Sequence, residues 1–530
     1  PPDRIMFALP TKQGNVVSQT LLTALQNPDL YDHPVSGFTL IETHISWVLL
    51  TGDYVYKVKK PVNFGFLDFS TLAQREHFCR EEVRLNRRIA PDLYLDVIAV
   101  TGSEDAPTLG GEGPAIEYMV KTRQFRQQDL LSNLQRDGGL TSAHIDELAQ
   151  VMARFHGQIE HAELDTPFGA PEQVHAPVAQ NFEQIRPFLS SARDLGQLDA
   201  LEQWANTTYQ RLIPQIAERK AGGMVRECHG DVYLDNVTLI DGQVTLFDCI
   251  EFNEPFRWTD VMADVAFMSM DLEDRGLHAL SNRFVSAYLE QTGDYQGLAV
   301  LNYYKAYRAV VRAKVALFGL NDGMTEEQRA ATMQRYYSYT ALAESYSELA
   351  PRFGLLTFGV SGSGKSTLAV KLVEQLGAIR IRSDVERKRL FGDEDNASLE
   401  SGLYSPERSE QTYRRLANLA AQILASGYPV IVDATHLKQN QRDLVRDAIE
   451  NQGAPCLILQ CEAPQEVIEH WLEQRQQQGG DISDAGIEVM HHQLTTRQPL
   501  SDEEAQLAVQ IDTSSEEAMN SIAQQLRQRL

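Results

Sequence analysis

Apolar and polar residues alternate from Phe38 to Leu50, a pattern that predicts a strand. The turn Thr51-Gly52-Asp53 and a second alternating run, Tyr54-Val-Tyr-Lys-Val-Lys59, complete a β-hairpin. Lys57 and Lys59 lie two apart and therefore share one face of that strand. From Leu72 to Ile89 the pattern turns helical and charged, with Glu76, Glu81 and Glu82, and Pro91 closes it. A strand follows at Ala115–Val120, then helical pattern over Leu130–Ile159, a Pro/Gly loop between Pro167 and Pro177, and helices through Ile185–Ile216. Short strands at Val237–Ile240 and Val244–Phe247 flank the turn Asp241-Gly242. Helices over 277–289, 303–320 and from Thr325 to about 349 lead to Pro351. Beyond it, strand runs at Leu355–Phe358, Ala378–Arg382, Val430–Asp433 and Leu457–Leu459 alternate with helices, the pattern of a doubly wound parallel sheet. The expected organisation is an α+β domain over 1–350 followed by an α/β domain over 351–530.

At 530 residues the chain exceeds one ordinary domain, and 43% hydrophobic residues suffice for full cores. No apolar run is long enough to span a bilayer, no basic-then-apolar leader opens the chain, and Pro1-Pro2-Asp3 reads as a trimmed start. These features predict a soluble cytoplasmic protein. The five cysteines are scattered with no C-x-x-C pair, so neither a disulfide framework nor zinc is expected. Net charge is −25; from Arg352 onward 18 Lys and Arg stand against 26 Asp and Glu, and before it 30 against 47. Both parts are acidic, which argues against a long nucleic-acid partner.

The strand Leu355–Phe358 runs into Gly359-Val-Ser-Gly-Ser-Gly-Lys-Ser-Thr367, and helical spacing follows from Leu368 to Leu376. This G-x-x-x-x-G-K-S sequence in a strand–loop–helix setting is the phosphate-binding loop of P-loop nucleotide-binding proteins. Glycines let backbone N–H groups turn onto phosphate oxygens, and the new helix points its positive end at them. The candidate nucleotide contacts are Gly359, Ser361, Gly362, Ser363, Gly364, Lys365, Ser366 and Thr367. Lys365 would reach the β- and γ-phosphates, and Ser366 would hold Mg²⁺.

A second constellation is His229-Gly-Asp231-Val-Tyr-Leu-Asp-Asn236, then a short hairpin closing on Asp248. It resembles the catalytic and metal-binding loops of the aminoglycoside phosphotransferase and choline kinase family, relatives of protein kinases, over most of residues 35 to 320. That resemblance implies a bilobal protein-kinase-like fold, with Asp231 deprotonating an acceptor hydroxyl and Asn236 and Asp248 holding Mg²⁺. It also implies that Lys57 contacts the α/β-phosphates and pairs with Glu82, with Lys59 and Glu81 as alternatives. His229 would complete the ATP-binding set by shaping the catalytic loop, while Asp260 and Asp264 would be structural. No G-x-G-x-x-G loop precedes Lys57. Tyr303, Tyr304, Tyr307, Arg308 and Arg312 either line an acceptor cleft or form a packed helix face.

In the C-terminal part, Asp384-x-x-Arg387 after the second strand and Asp433-Ala-Thr435, together with the P-loop, resemble polynucleotide 5′-hydroxyl kinases, zeta toxins, chloramphenicol phosphotransferase and gluconate kinase. The resemblance implies that Asp384 activates a hydroxyl, that Arg387 binds substrate or the reacting phosphate, and that Arg475 is a lid arginine. Arg442 and Arg497 are further candidates, Asp433 is a candidate metal ligand, and Asp384 alternatively N-caps a helix starting near Val385. The whole chain resembles bacterial bifunctional aminoglycoside phosphotransferase/ATP-binding proteins. The implied activity is ATP-dependent, Mg²⁺-requiring transfer to hydroxyls of small molecules in clefts lined by polar and acidic groups. The alternatives are that one half regulates the other, or that the C-terminal half acts on polynucleotide ends or nucleotide sugars.

Overall fold

The computed structural model describes residues 19–392, 405–478 and 486–530, apart from positions 66, 322 and 349. The chain divides into two compact units. The first comprises residues up to 275 together with 300–347, and the second residues 276–299 together with 348–530.

The first unit opens with an antiparallel sheet of β1 (Thr39–Glu42), β2 (Ser46–Leu50), β3 (Tyr54–Lys59), β4 (Tyr94–Gly102), β5 (Pro107–Leu109) and β6 (Ala115–Arg123), in the order β1-β2-β3-β6-β4-β5. The alternating run from Phe38 is thus two strands: Thr43 Oγ1 accepts the Ser46 amide and turns the chain between them. The two-residue period of β3 sends Tyr56 and Val58 into a core with Leu21, Leu22 and Leu25. It sends Lys57 and Lys59 to the opposite face, where the helix Leu72–Arg87 presents Glu82. That helix starts on a capping box between Thr71 and Gln74. The rest of the unit is mostly helical, with two small antiparallel pairs formed by β7 (Val225–Glu227), β8 (Val237–Ile240), β9 (Gln243–Leu246) and β10 (Trp258–Asp260). Strand β7 pairs with β10 and β8 with β9.

The second unit holds a parallel sheet of β11 (Gly354–Phe358), β12 (Ile379–Arg382), β13 (Val430–Asp433), β14 (Cys456–Glu462) and β15 (Ala508–Asp512), in the order β12-β13-β11-β14-β15. Strands β11 and β13 are buried at every position, as befits a sheet covered on both faces. Leu368, Leu372, Ile522 and Leu526 from two helices pack on Leu355, Ile431 and Leu459. Ile449 of another helix lies so close to Gly354 that a β-carbon there would come within 2.4 Å of it. The helix His278–Thr292 covers the edge strand β12: Ser286 Oγ accepts the Arg380 amide at 3.1 Å, and Glu290 pairs with Arg380 at 2.8 Å.

Candidate active sites

In the first unit the predicted residues come from four separate elements. Lys57 Nζ on β3 lies 3.0 Å from Glu82 Oε1 and 2.9 Å from Asp248 Oδ1. Burial disfavours its charged form, but the carboxylates of Asp248 and Glu82 outweigh that, so its pKa stands well above the ordinary lysine value. Lys59, fully buried, bridges Glu82 Oε2 at 2.6 Å and Glu251, and sits over the Phe69 ring. Glu82 thus holds both lysines, while Glu81 turns to Arg84 and Arg257. Asp248 takes a left-handed backbone at φ 67°, and its amide donates to the Tyr94 hydroxyl at 3.1 Å.

The loop after β7 carries Asp231, half-buried. Asn236 Nδ2 donates to the Asp231 carboxylate at 3.1 Å and to its backbone carbonyl at 2.9 Å. That leaves Asn236 Oδ1, with Asp248, as the oxygen ligands a hard cation prefers. Burial raises the Asp231 pKa to about 7, against the pull of Arg308 and Arg312. His229, expected to shape the catalytic loop, is fully buried; it bonds the Phe247 carbonyl and the Asp231 amide and so braces the loop. Asp264 accepts the amides of His229 and Gly230, both at 2.9 Å, and Asp260 holds Arg219 in a bidentate pair.

In the second unit the P-loop turns through Gly362 and Gly364, at φ 80° and 75°, into the helix Lys365–Leu376. A β-carbon on Gly364 would meet Thr513 Cβ at 2.7 Å. Lys365 Nζ donates to the Val360 carbonyl, and burial lowers its pKa against the resistance of Asp433. Among the described residues the buried Ser363 hydroxyl has no hydrogen-bond partner, nor has Asp433 Oδ2, 3.9 Å from Arg380. These groups line a cavity of about 1270 Å³ with Ser366, Thr367, Asp384 and Arg475. An ammonium, backbone amides, a hydroxyl and a carboxylate in one cleft fit a triphosphate with a divalent cation.

Asp384 lies inside the first turn of the helix Ser383–Phe391, whose N-cap is Arg382, so it does not cap. Its carboxylate instead accepts from Arg387 Nη1 at 2.9 Å. Arg442 is not a cleft residue: it is buried on Glu504 and on the carbonyls of His436 and Pro499. Arg497 is exposed. Polar side chains and the carboxylates of Asp384, Glu410 and Asp433 line this cavity, as expected, but basic groups join them. Arg382, Arg387, Arg414, Lys438 and Arg475 line this cavity, because net charge sums the whole surface and does not locate it.

The profile of the "Phosphotransferase enzyme family" matches residues 76–301, and that of an "AAA domain" matches residues 355–500. An uncharacterized protein of Mycobacterium tuberculosis (strain ATCC 25618 / H37Rv) is 30% identical over 464 residues, spanning 86% of this chain and 90% of its own length. The chain belongs to this family. This chain joins a phosphotransferase-family domain to a C-terminal P-loop domain, and it is an ATP-dependent kinase. Among solved structures, a choline/ethanolamine kinase family protein from Mesorhizobium loti is 15% identical with a TM-score of 0.39, covering 62% of this chain and 96% of that one. A sugar kinase from Janibacter sp. HTCC2649 is 24% identical with a TM-score of 0.28, covering 34% and 95%.

Two features of this fused kinase carry weak sequence signals. Glu251 stands three residues past Asp248 in Asp248-Cys-Ile-Glu251, and only the structure pairs it with Lys59. Gln493, whose Oε1 accepts the Ser361 amide at 2.7 Å, comes from a helix far along the chain. Among the described residues, His156, Cys228 and Asp264 offer ligand atoms within reach of one ion. Both Asp264 oxygens already accept backbone amides, so this cluster braces the catalytic loop. No helix of the described residues is long and apolar enough to cross a membrane.

Proposed function

We propose that the protein is a two-site kinase, each unit moving the γ-phosphoryl group of ATP to a hydroxyl of a small molecule. The observation that carries this reading is that each unit gathers its own lysine, its own oxygen ligands and its own carboxylate base. In the first unit Asp231 accepts the proton of the acceptor hydroxyl. The freed oxygen bonds to the γ-phosphorus, the bond from that phosphorus to the β–γ bridging oxygen breaks, and ADP leaves. Lys57, fixed by Glu82, orients the α/β-phosphates, and Asn236 and Asp248 would hold Mg²⁺. In the second unit Asp384 plays the part of base, and Lys365, Arg387 and Arg475 face the charge that develops on the transferred group. Ser366 and Asp433 would hold Mg²⁺ there. The bound Mg²⁺ would neutralise phosphate charge and align the leaving group in both sites.

A second reading of the P-loop unit has one observation in its favour: the basic lining of its cavity also suits a polynucleotide 5′ end. The test is transfer from γ-labelled ATP across sugars, nucleosides, aminoglycosides and a 5′-hydroxyl oligonucleotide, with Asp231→Asn and Asp384→Asn as site-specific controls. Labelled small molecules whose yield falls with one control each support the two-site reading. Label confined to the oligonucleotide supports the second reading, and label unaffected by either substitution removes both bases from the mechanism.

A further inference from the structure

The helix Leu298–Phe318 carries four basic side chains. Lys305 pairs with Glu273 at 2.6 Å, and Lys314 donates to Asn181 and Gln184 at 2.6 and 2.9 Å. Arg312 donates Nε to the Tyr339 hydroxyl at 3.2 Å, yet its Nη1 is buried with no partner. Arg308 stands apart. It is 7% exposed, lies over the Phe267 and Tyr307 rings at 4.8 and 5.4 Å, and makes no hydrogen bond or ion pair among the described residues. Arg308 Nε is buried with no hydrogen-bond partner among the described residues, and burying such a donor unmet is unfavourable, so the group suits an anion. Arg312 lies over the ring of Tyr233, two residues past Asp231 in the same loop, at 5.4 Å, and Phe256 beside Arg308 packs against Gly230, the residue before Asp231.

Space exists beside Arg308. With Phe168, Trp258, Tyr304 and Tyr307 it lines a cavity of about 50 Å³. That is room for a small polar group against the guanidinium. We propose that the acceptor of the first unit is an anion, a hydroxyl-bearing carboxylate or phosphomonoester whose acidic group is held by Arg308 and Arg312 while Asp231 faces its hydroxyl. This rests on the reading of Asp231 as the base. A polycationic or quaternary-ammonium acceptor would meet two buried guanidiniums of its own sign. An anion instead matches the planar fork of arginine, two N–H groups to two oxygens.

The test uses the full chain carrying Lys365→Ala, which silences the P-loop unit, and matched acceptors. Gluconate is compared with glucose, glycerate with glycerol, glucose 6-phosphate with glucose, and kanamycin serves as the cation. The expected result is at least a tenfold higher kcat/KM for the anionic partner, and the carboxylate and phosphate pairs separate the two sources of charge. Arg308→Gln should raise KM for that anion by roughly 10–100-fold with KM for ATP unchanged, and Arg308→Lys should fall between. Asp231-dependent transfer that prefers a neutral or cationic acceptor overturns the anion site and leaves the base reading standing. Equal weakening of every acceptor by Arg308→Gln also overturns it, since that marks a packing role. If nothing on the panel is phosphorylated, binding of gluconate and glucose 6-phosphate in the presence of ATP decides. Arg308-dependent binding without turnover keeps the anion site and rejects the base reading, whereas no such binding rejects the anion site.

Discussion

Lys57 and Lys59 sit two residues apart, both bonded to Glu82, yet their environments assign them opposite consequences on substitution. Lys59 is fully buried between Glu82 and Glu251, and burial raises the Glu251 pKa even with the lysine beside it. Lys59→Met leaves Glu251 with no cation and removes one of the two from Glu82. Breaking a buried pair in this way costs about 3–5 kcal/mol. Lys57 is 17% exposed, and its loss leaves Glu82 still bonded to Lys59 while Asp248 is 29% exposed. Lys57→Met should therefore cost about 1–2 kcal/mol in stability but lower phosphoryl transfer by the first unit by roughly 10²–10³-fold. Hydrogen exchange of the β3 amides reads the stability of this unit alone, and ADP release in a Lys365→Ala background reads its catalysis. Adding Glu251→Gln to Lys59→Met should recover roughly 0.5–3 kcal/mol, because the two residues are coupled. Intact β3 protection in Lys59→Met together with abolished transfer would make Lys59 the phosphate lysine and refute this assignment.

The remaining predictions concern the metal and the second unit. Excess EDTA should abolish transfer by both units while ADP release returns on adding Mg²⁺; full activity in EDTA contradicts the proposed oxygen ligands. Gly364→Ala places a side chain at φ 75° and against Thr513, costing roughly 1–2 kcal/mol from the backbone alone; isothermal titration should find ATP binding to this unit lost, and unchanged affinity there refutes the loop geometry. Burial lowers the His436 pKa from 6.5 to about 4, so the unfolded state binds the proton first. The neutral form's stabilisation is complete above pH 6.5 and is lost as pH falls to about 4, at no more than about 1.4 kcal/mol per pH unit. Exchange protection of β11 should fall across that window and flatten in His436→Asn, which suits the left-handed φ of 47°; an equal slope in the variant rejects His436 as the origin.

The chemistry-bearing segments were the most legible part of the chain, because phosphate loops and metal loops demand particular residue types at fixed spacing. The P-loop and the Asp231–Asn236–Asp248 series could be read directly, and the periods of β3 and the Leu72–Arg87 helix put Lys57 and Lys59 opposite a row of glutamates. Choosing Glu82 over Glu81 needed the rotation of that helix, which periodicity leaves uncertain by one position. The strands β4 and β15 escaped sequence reading: β4 reaches its place through irregular pairing with β6, and β15 completes the edge of the second sheet with a short stretch flanked by helices. Arg442 and Arg308 carry the same charge and are both buried, yet one is fully paired with Glu504 and the other is not. That difference lies wholly in tertiary packing. So does the basic lining of a cleft in an acidic chain.

Independence of the two sites is most directly tested by silencing them one at a time. ADP release and acceptor phosphorylation are measured for Asp231→Asn, Lys365→Ala and the double variant, with melting to confirm the fold. Asp231→Asn should abolish transfer by the first unit and spare turnover at the P-loop, Lys365→Ala should do the reverse, and the double variant should be inactive. Each single loss should reach roughly 10²–10⁴-fold at its own site. If either substitution silences all ATP turnover while the other site still binds ATP, the two units work as one coupled machine and the two-site reading is wrong.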